Sequence, residues 1–290
     1  MGQKRGPTYY IESSYIMRKL IVNADDFGIS SEVNEAVIKA HLEGIVTSAS
    51  LLITGEKVDE AVSLAKKYSS LAVGLHLNLA EGKPITCKKE KIESLINEKG
   101  EFLGPKEFRK GIWKLRIKAS HISTELENQI KEFFNVFNGL IPTHLDSHYH
   151  VSNIPHVMRV VSKLAKQYKI RCIRKAFNLY IGEKGEKHHV SSLREIPRFM
   201  YKKWLNAFLE KNFTTTDYFL SFEHCLDKNN WPLSKKASWI LQHLPSGTSE
   251  ILCHPNVSGK GKQELDFVIN KETKNLINRE HIRLISWSDL

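Results

Sequence analysis

His144, Asp146, His148 and His150 recur at two-residue spacing in the segment Pro142-Thr-His-Leu-Asp-Ser-His-Tyr-His150. In an extended strand alternate side chains share a face, so this spacing predicts that all four project to one side. Imidazoles and a carboxylate gathered on one face are costly to bury without a partner, and a divalent cation is the partner their chemistry suits. A polar, solvated edge strand could carry the same spacing. The second cluster favours the metal. In Leu20-Ile-Val-Asn-Ala-Asp-Asp-Phe-Gly28 a short apolar run reads as a buried strand. It ends in two adjacent carboxylates, Asp25 and Asp26, with Gly28 as the breaker. One of the pair could serve only to cap a following helix. Beside a histidine strand, acid–base and metal chemistry is the better account.

The elements that must position these residues alternate along the chain. Strands are predicted at 19–23, 45–53, 71–79, 142–148, 170–174, 217–222, 249–253 and 282–286. Helical periodicity falls at 31–43, 56–68, 123–138, 154–168, 197–211, 233–244 and 268–279. Thr124-Glu-Leu-Glu127 has the spacing of a capping box, and Pro155 and Pro232 suit first-turn positions. Repeated strand–helix alternation predicts an α/β fold, a single-domain distorted (β/α) barrel with parallel strands. Residues 81–121 and 176–196, rich in Gly and charge, read as long rim loops. Residues 1–16 are set apart as an N-terminal extension, expected to be disordered, and 17–290 form the barrel domain.

At 290 residues with 41% hydrophobic content, the chain is long enough for a large core. No apolar run approaches the ~20 residues of a membrane span, and the first fifteen residues lack the apolar core of a secretory signal. Cys87, Cys172, Cys225 and Cys253 lie far apart with no Cys-x-x-Cys pair, which fits a reduced, cytoplasmic setting. The net charge of +11 is dispersed, and neither an RNA-recognition signature nor a Cys/His finger accompanies it. No nucleic-acid or membrane partner is expected.

A barrel gathers the carboxyl ends of its strands on one face. That rule brings Asp25 and Asp26 together with His76, the 144–150 segment and His254, which precedes the strand-stopping Pro255. These residues lie in motifs that carry a resemblance. Asn-Ala-Asp-Asp-Phe-Gly (23–28), Gly-Ile-Val-Thr-Ser-Ala-Ser (44–50), Val-Gly-Leu-His-Leu (73–77), Pro-Thr-His-Leu-Asp-Ser-His-Tyr-His (142–150) and Cys-His-Pro (253–255) resemble the YdjC family of carbohydrate deacetylases, in the family's order.

The resemblance implies one divalent metal ion, magnesium, held by Asp26, His76 and His148, although two imidazoles and a carboxylate also suit zinc, manganese or iron. It implies Asp25 as general base, by similarity to polysaccharide deacetylases, and His254 as the acid that protonates the leaving amine. His144 and Asp146 would support the ligands, and His150 and Arg174 would belong to the second shell or the substrate site. Tyr149, Ser152 and the stretch Lys175-Ala-Phe-Asn178 depart from the usual family pattern, none at an implied ligand. The resemblance also suggests a homodimer. The expected function is metal-dependent removal of acetyl groups from N-acetylated sugars or oligosaccharides. A metal-dependent phosphoesterase and a catalytically silent sugar-binding protein are the alternatives.

Overall fold

Leu20, Ile21, Val22 and Ala24 are fully buried in β1 (Arg18–Phe27), the strand around which the sheet is built. A strand covered on both faces reads as a continuous apolar run, as this one does. The computed structural model describes residues 17–182, 185–187, 196–222 and 230–290. The expectation for residues 1–16, and part of that for the 176–196 loop, lies outside the described residues. β2 (Ser48–Leu51), β3 (Ala72–Leu77) and β4 (Leu145–Ser147) extend the sheet on one side of β1. β8 (Gly247–Cys253) and β7 (Tyr218–Ser221) extend it on the other, and every pairing is parallel. β9 (Ile282–Leu284) pairs with the first residues of β1, before β2 joins it. β5 (Tyr180–Gly182) and β6 (Gly185–Lys187) form a separate antiparallel hairpin.

The two edges, β4 and β7, are linked by the segment expected as a strand at 170–174. It supplies only single bridges, Leu145 with Ile173 and Cys172 with Thr214. Ile173 N–H donates to the Thr214 carbonyl at 3.1 Å and Arg174 N–H to the Leu145 carbonyl at 2.9 Å. Ala176 N–H donates instead to the Asn206 side chain, at 2.9 Å, and backbone contact with β7 returns only at Asn178 N–H, which donates to the Phe219 carbonyl at 3.3 Å. The result is the expected distorted barrel of parallel strands, thinnest at this seam.

Helices α1 (Ser31–Leu42), α2 (Val58–Lys67), α5 (Pro155–Gln167), α6 (Ile196–Asn212) and α7 (Leu233–Gln242) lie close to their expected bounds. Pro155 is at the first turn of α5, whereas Pro232 occupies the N-cap of α7. α4 (Ala119–Val136) starts one turn early, so Thr124 is interior and no capping box forms there. Glu127 instead accepts from Tyr168 Oη at 2.8 Å. The expected 81–121 loop contains α3 (Pro105–Trp113). The last helical stretch divides into α8 (Gly259–Ile269) and α9 (Lys271–Arg279), because Asn270 is extended and caps α9 through Glu272 N–H. Buried Glu125 on α4 accepts from the backbone N–H groups of Ile85 and Thr86, both at 3.0 Å. That contact pins the loop that carries Glu81 over the sheet.

Candidate active site

β1 ends in a register shift between Ala24 and Phe27, with Asp26 in the left-handed region at φ 65°. Neighbouring strand residues normally point apart. The left-handed turn at Asp26 breaks that alternation and brings both carboxylates to the same site. Gly28 follows at φ 103°, a value that L side chains rarely adopt, and its N–H donates to Asn34 Oδ1 at 2.8 Å.

Asp26 Oδ1 lies 2.8 Å from His148 Nδ1 and 3.3 Å from His76 Nε2. It is buried yet, among the described residues, accepts no aligned hydrogen bond. On the far side of its ring, His76 Nδ1 meets Asp146 Oδ1 at 2.8 Å, so neutral His76 keeps its Nε2 lone pair for the Asp26 side. Burial would lower the basicity of His76, but Asp146 and the other carboxylates push it up to about 10. Burial also opposes the charge on Asp26, yet the two imidazoles hold it well below the usual carboxylate range. A pocket with this negative potential is answered by a proton on His76 or by a dication against Nε2. Nitrogen and oxygen donors converging on an unmet carboxylate oxygen fit a divalent ion.

Ligand atoms of Asp25, His76 and Asp146 also lie within 4.8 Å of one another. That second trio already holds a cation, the Arg174 guanidinium. Nη1 and Nη2 grip Asp25 Oδ2 and Oδ1, both at 2.8 Å, and Nη1 lies 2.5 Å from Asp146 Oδ2. Asn23 Nδ2 donates to Asp25 Oδ1 and to Ser50 Oγ, each at 2.8 Å. Burial works to raise the Asp25 carboxyl, but the Arg174 charge and hydrogen bonds together with His76 outweigh it, leaving the group below its ordinary value. The same burial and the same guanidinium act on Asp146, which is also held low.

The segment from 144 to 150 is not one strand. β4 covers only Leu145–Ser147, and His148–Asn153 form a 3₁₀ turn with Tyr149 and His150 left-handed at φ 52° and 53°. The four residues therefore part company. Asp146 and His148 join the cluster. His144 lies behind it, with Nε2 3.0 Å from Ser50 Oγ and its ring stacked on Trp287 at 4.7 Å. Burial drives His144 down to about 3, so it is a neutral wall. His150 supplies no atom to either ligand group and packs edge-on against Phe177 at 4.8 Å, with burial lowering it to about 4. His254 follows the last residue of β8, in register just beyond the Ala24–Cys253 pair. It is exposed, its N–H donating to Glu264 Oε2 at 2.6 Å, so the structure sets it outside the buried cluster.

Gly74 has a specific duty here. A Cβ at this position would overlap the His144 ring. Gly74→Ala should therefore cost ~1–3 kcal/mol, the usual penalty for overpacking a filled core. Urea denaturation measures it, and an unchanged midpoint would mean the His144 ring has room to move.

Ser50, Glu81 and Glu250 are among the participants that carry no role in the sequence reading. Ser50 Oγ donates to Asp146 Oδ2 at 2.8 Å. Glu81 Oε2 accepts from Tyr149 Oη at 2.9 Å and lies 3.5 Å from His148 Nε2, at the rim. Glu250 is fully buried on β8, accepts from Arg174 Nε at 2.8 Å, and is pushed up to about 7 by burial against the pull of Arg174. Its signal was legible: an acid within the strand expected at 249–253, directly before the apolar run Ile251–Cys253.

The sequence matches the family described as YdjC-like protein over residues 19–279. The chain belongs to the YdjC family. Among its relatives, the carbohydrate deacetylase of Clostridium beijerinckii is 31% identical over 94% of this chain and 100% of its own length. That of Brevibacillus brevis is also 31% identical, over 94% of this chain and 99% of its own. A solved structure from Enterococcus faecalis, of a protein described as a candidate for cellobiose-phosphate cleavage, superposes with a TM-score of 0.75 at 26% identity. It covers 94% of this chain and 98% of that one. The YdjC match contains Asp25, Asp26, His76, Asp146, His148, Arg174, Glu250 and His254, while Trp287 lies beyond it. Among the described residues no helix is long and apolar enough to cross a membrane.

Proposed function

We propose that this YdjC-family protein is a metal-dependent carbohydrate deacetylase that removes acetyl groups from N-acetylated sugars or oligosaccharides. The observation that carries the reading is the convergence of His76 Nε2 and His148 Nδ1 on a buried Asp26 oxygen that accepts no aligned hydrogen bond. Asp26, His76 and His148 would hold one divalent ion, with magnesium favoured by the family and zinc or manganese suited to the donor set. When bound, such an ion supplies Lewis-acid polarisation of the acetyl carbonyl and lowers the pKa of a water from about 16 toward about 7.

The remaining work falls to the chain. Asp146 orients His76 through Nδ1. Asp25 takes the proton of the attacking water. Among the described residues Oδ2 receives only Arg174 Nη1, which leaves it a lone pair. His254 gives a proton to the departing sugar nitrogen, reaching in from the exposed end of β8. One barrel domain over 17–290 carries all these residues. The resemblance supports a homodimer, and free Cys87, Cys172 and Cys253 accord with a cytoplasmic setting.

Acetate release from N-acetylglucosamine oligomers, with and without a phosphate group, before and after chelation, tests the reading. Release that stops with chelation and returns with the ion is expected, whereas phosphate release in its place would favour a phosphoesterase. That alternative usually needs two metals, and Arg174 already fills the second carboxylate cluster.

The leaving group tests His254. An amine needs protonation to depart, whereas an activated phenol leaves unaided. His254→Ala should thus lose ~10²-fold or more on an N-acetylated sugar and far less on an aryl acetate. Equal losses in kcat/KM would reduce His254 to a binding or structural role.

A further inference from the structure

Arg174 has five N–H groups, and five close contacts account for them. Nη1 faces Asp25 Oδ2 and Asp146 Oδ2, Nη2 faces Asp25 Oδ1 and Glu250 Oε1, and Nε donates to Glu250 Oε1. From the thin seam at 172–173 the guanidinium thus reaches β1, β4 and β8 at once, through Asp25, Asp146 and Glu250. Asp25 and Asp146 both grip its Nη edge. With those alone, the plane could pivot about Nη1 and turn Nη2 away from Asp25. Glu250 closes the opposite, Nε edge.

Glu250 is itself held. Its Oε1 accepts from Trp287 Nε1 at 3.2 Å, and the Trp287 ring stacks on His144. Its Oε2 is buried and, among the described residues, accepts no hydrogen bond. A fully buried acid with one idle oxygen is expensive as a packing element. Its position, not its packing, is what the site uses. We propose that Glu250 is a positioning residue that locks the Arg174 guanidinium and, through it, the Asp25 carboxylate. Its consequence for turnover rests on the deacetylase reading, while the lock itself does not.

The test reads both. In the metal-loaded protein, the Arg174 Nε–H signal in a ¹⁵N–¹H spectrum should exchange slowly with solvent. Glu250→Gln keeps the accepting oxygen and should preserve that protection. Glu250→Asp keeps the charge but is one methylene shorter, and Glu250→Ala removes the acceptor. Both should exchange at least ~10-fold faster, and kcat for acetate release should fall ~10–10²-fold, with KM and metal content near wild type. In an Asp25→Asn background the same Glu250 changes should add less than ~3-fold, because the residue they act through is already disabled. Slow exchange in Glu250→Ala, or wild-type protection and kcat in Glu250→Asp if the alanine variant does not fold, would overturn the proposal. Additive losses would overturn it too. Wild-type protein that shows the lock but releases no acetate would instead overturn the functional reading alone.

Discussion

Asp25→Asn should leave the protein folded and metal-loaded while lowering kcat by ~10²–10⁴, the usual worth of general acid–base catalysis. The substitution keeps the shape of the side chain and an oxygen that accepts from Arg174 Nη2 and Asn23 Nδ2. It removes the lone pairs that would take the proton. Arg174 does not become an unpaired buried charge, because Asp146 and Glu250 still face it. The stability cost should therefore be well short of that for a fully orphaned ion. Against burial, the Arg174 charge and hydrogen bonds together with His76 keep Asp25 below its ordinary value, so wild-type enzyme has the carboxylate ionised around neutrality. Steady-state acetate release with metal analysis on the same sample decides the matter. A near-normal kcat would pass the base role to another group.

Removal of a ligand should be more severe. His148→Ala should strip the ion and abolish turnover with little change in unfolding midpoint, since His148 opens a rim turn and does not sit inside a strand. His76→Ala should also lose the ion, but at a greater stability cost. It takes the Nδ1 partner from Oδ1 of Asp146, which is buried at 2% exposure, and a buried oxygen left without a donor is costly even with Arg174 and Ser50 still on Oδ2. Asp26→Ala removes the oxygen on which both imidazoles converge. Elemental analysis against circular dichroism separates metal loss from unfolding. Full metal occupancy in His148→Ala would sink this ligand set.

The sequence by itself determined the barrel, because continuous apolar runs such as Leu20–Val22 and periodic helices are local signals that burial on both faces enforces. It also determined that Asp25, Asp26, His76, Asp146 and His148 meet, since a parallel barrel delivers strand ends to one rim. Side-chain aim was decided only by the tertiary structure. Period-two spacing put His144 through His150 on one face, but left-handed Tyr149 and His150 end β4 at Ser147 and turn His150 onto Phe177. Asp25 and Asp26 share a site only because Asp26 is itself left-handed. Arg174 and Glu250 are 76 residues apart along the chain, and only barrel closure brings them together. Such pairings follow from long-range packing, which no spacing along the chain encodes.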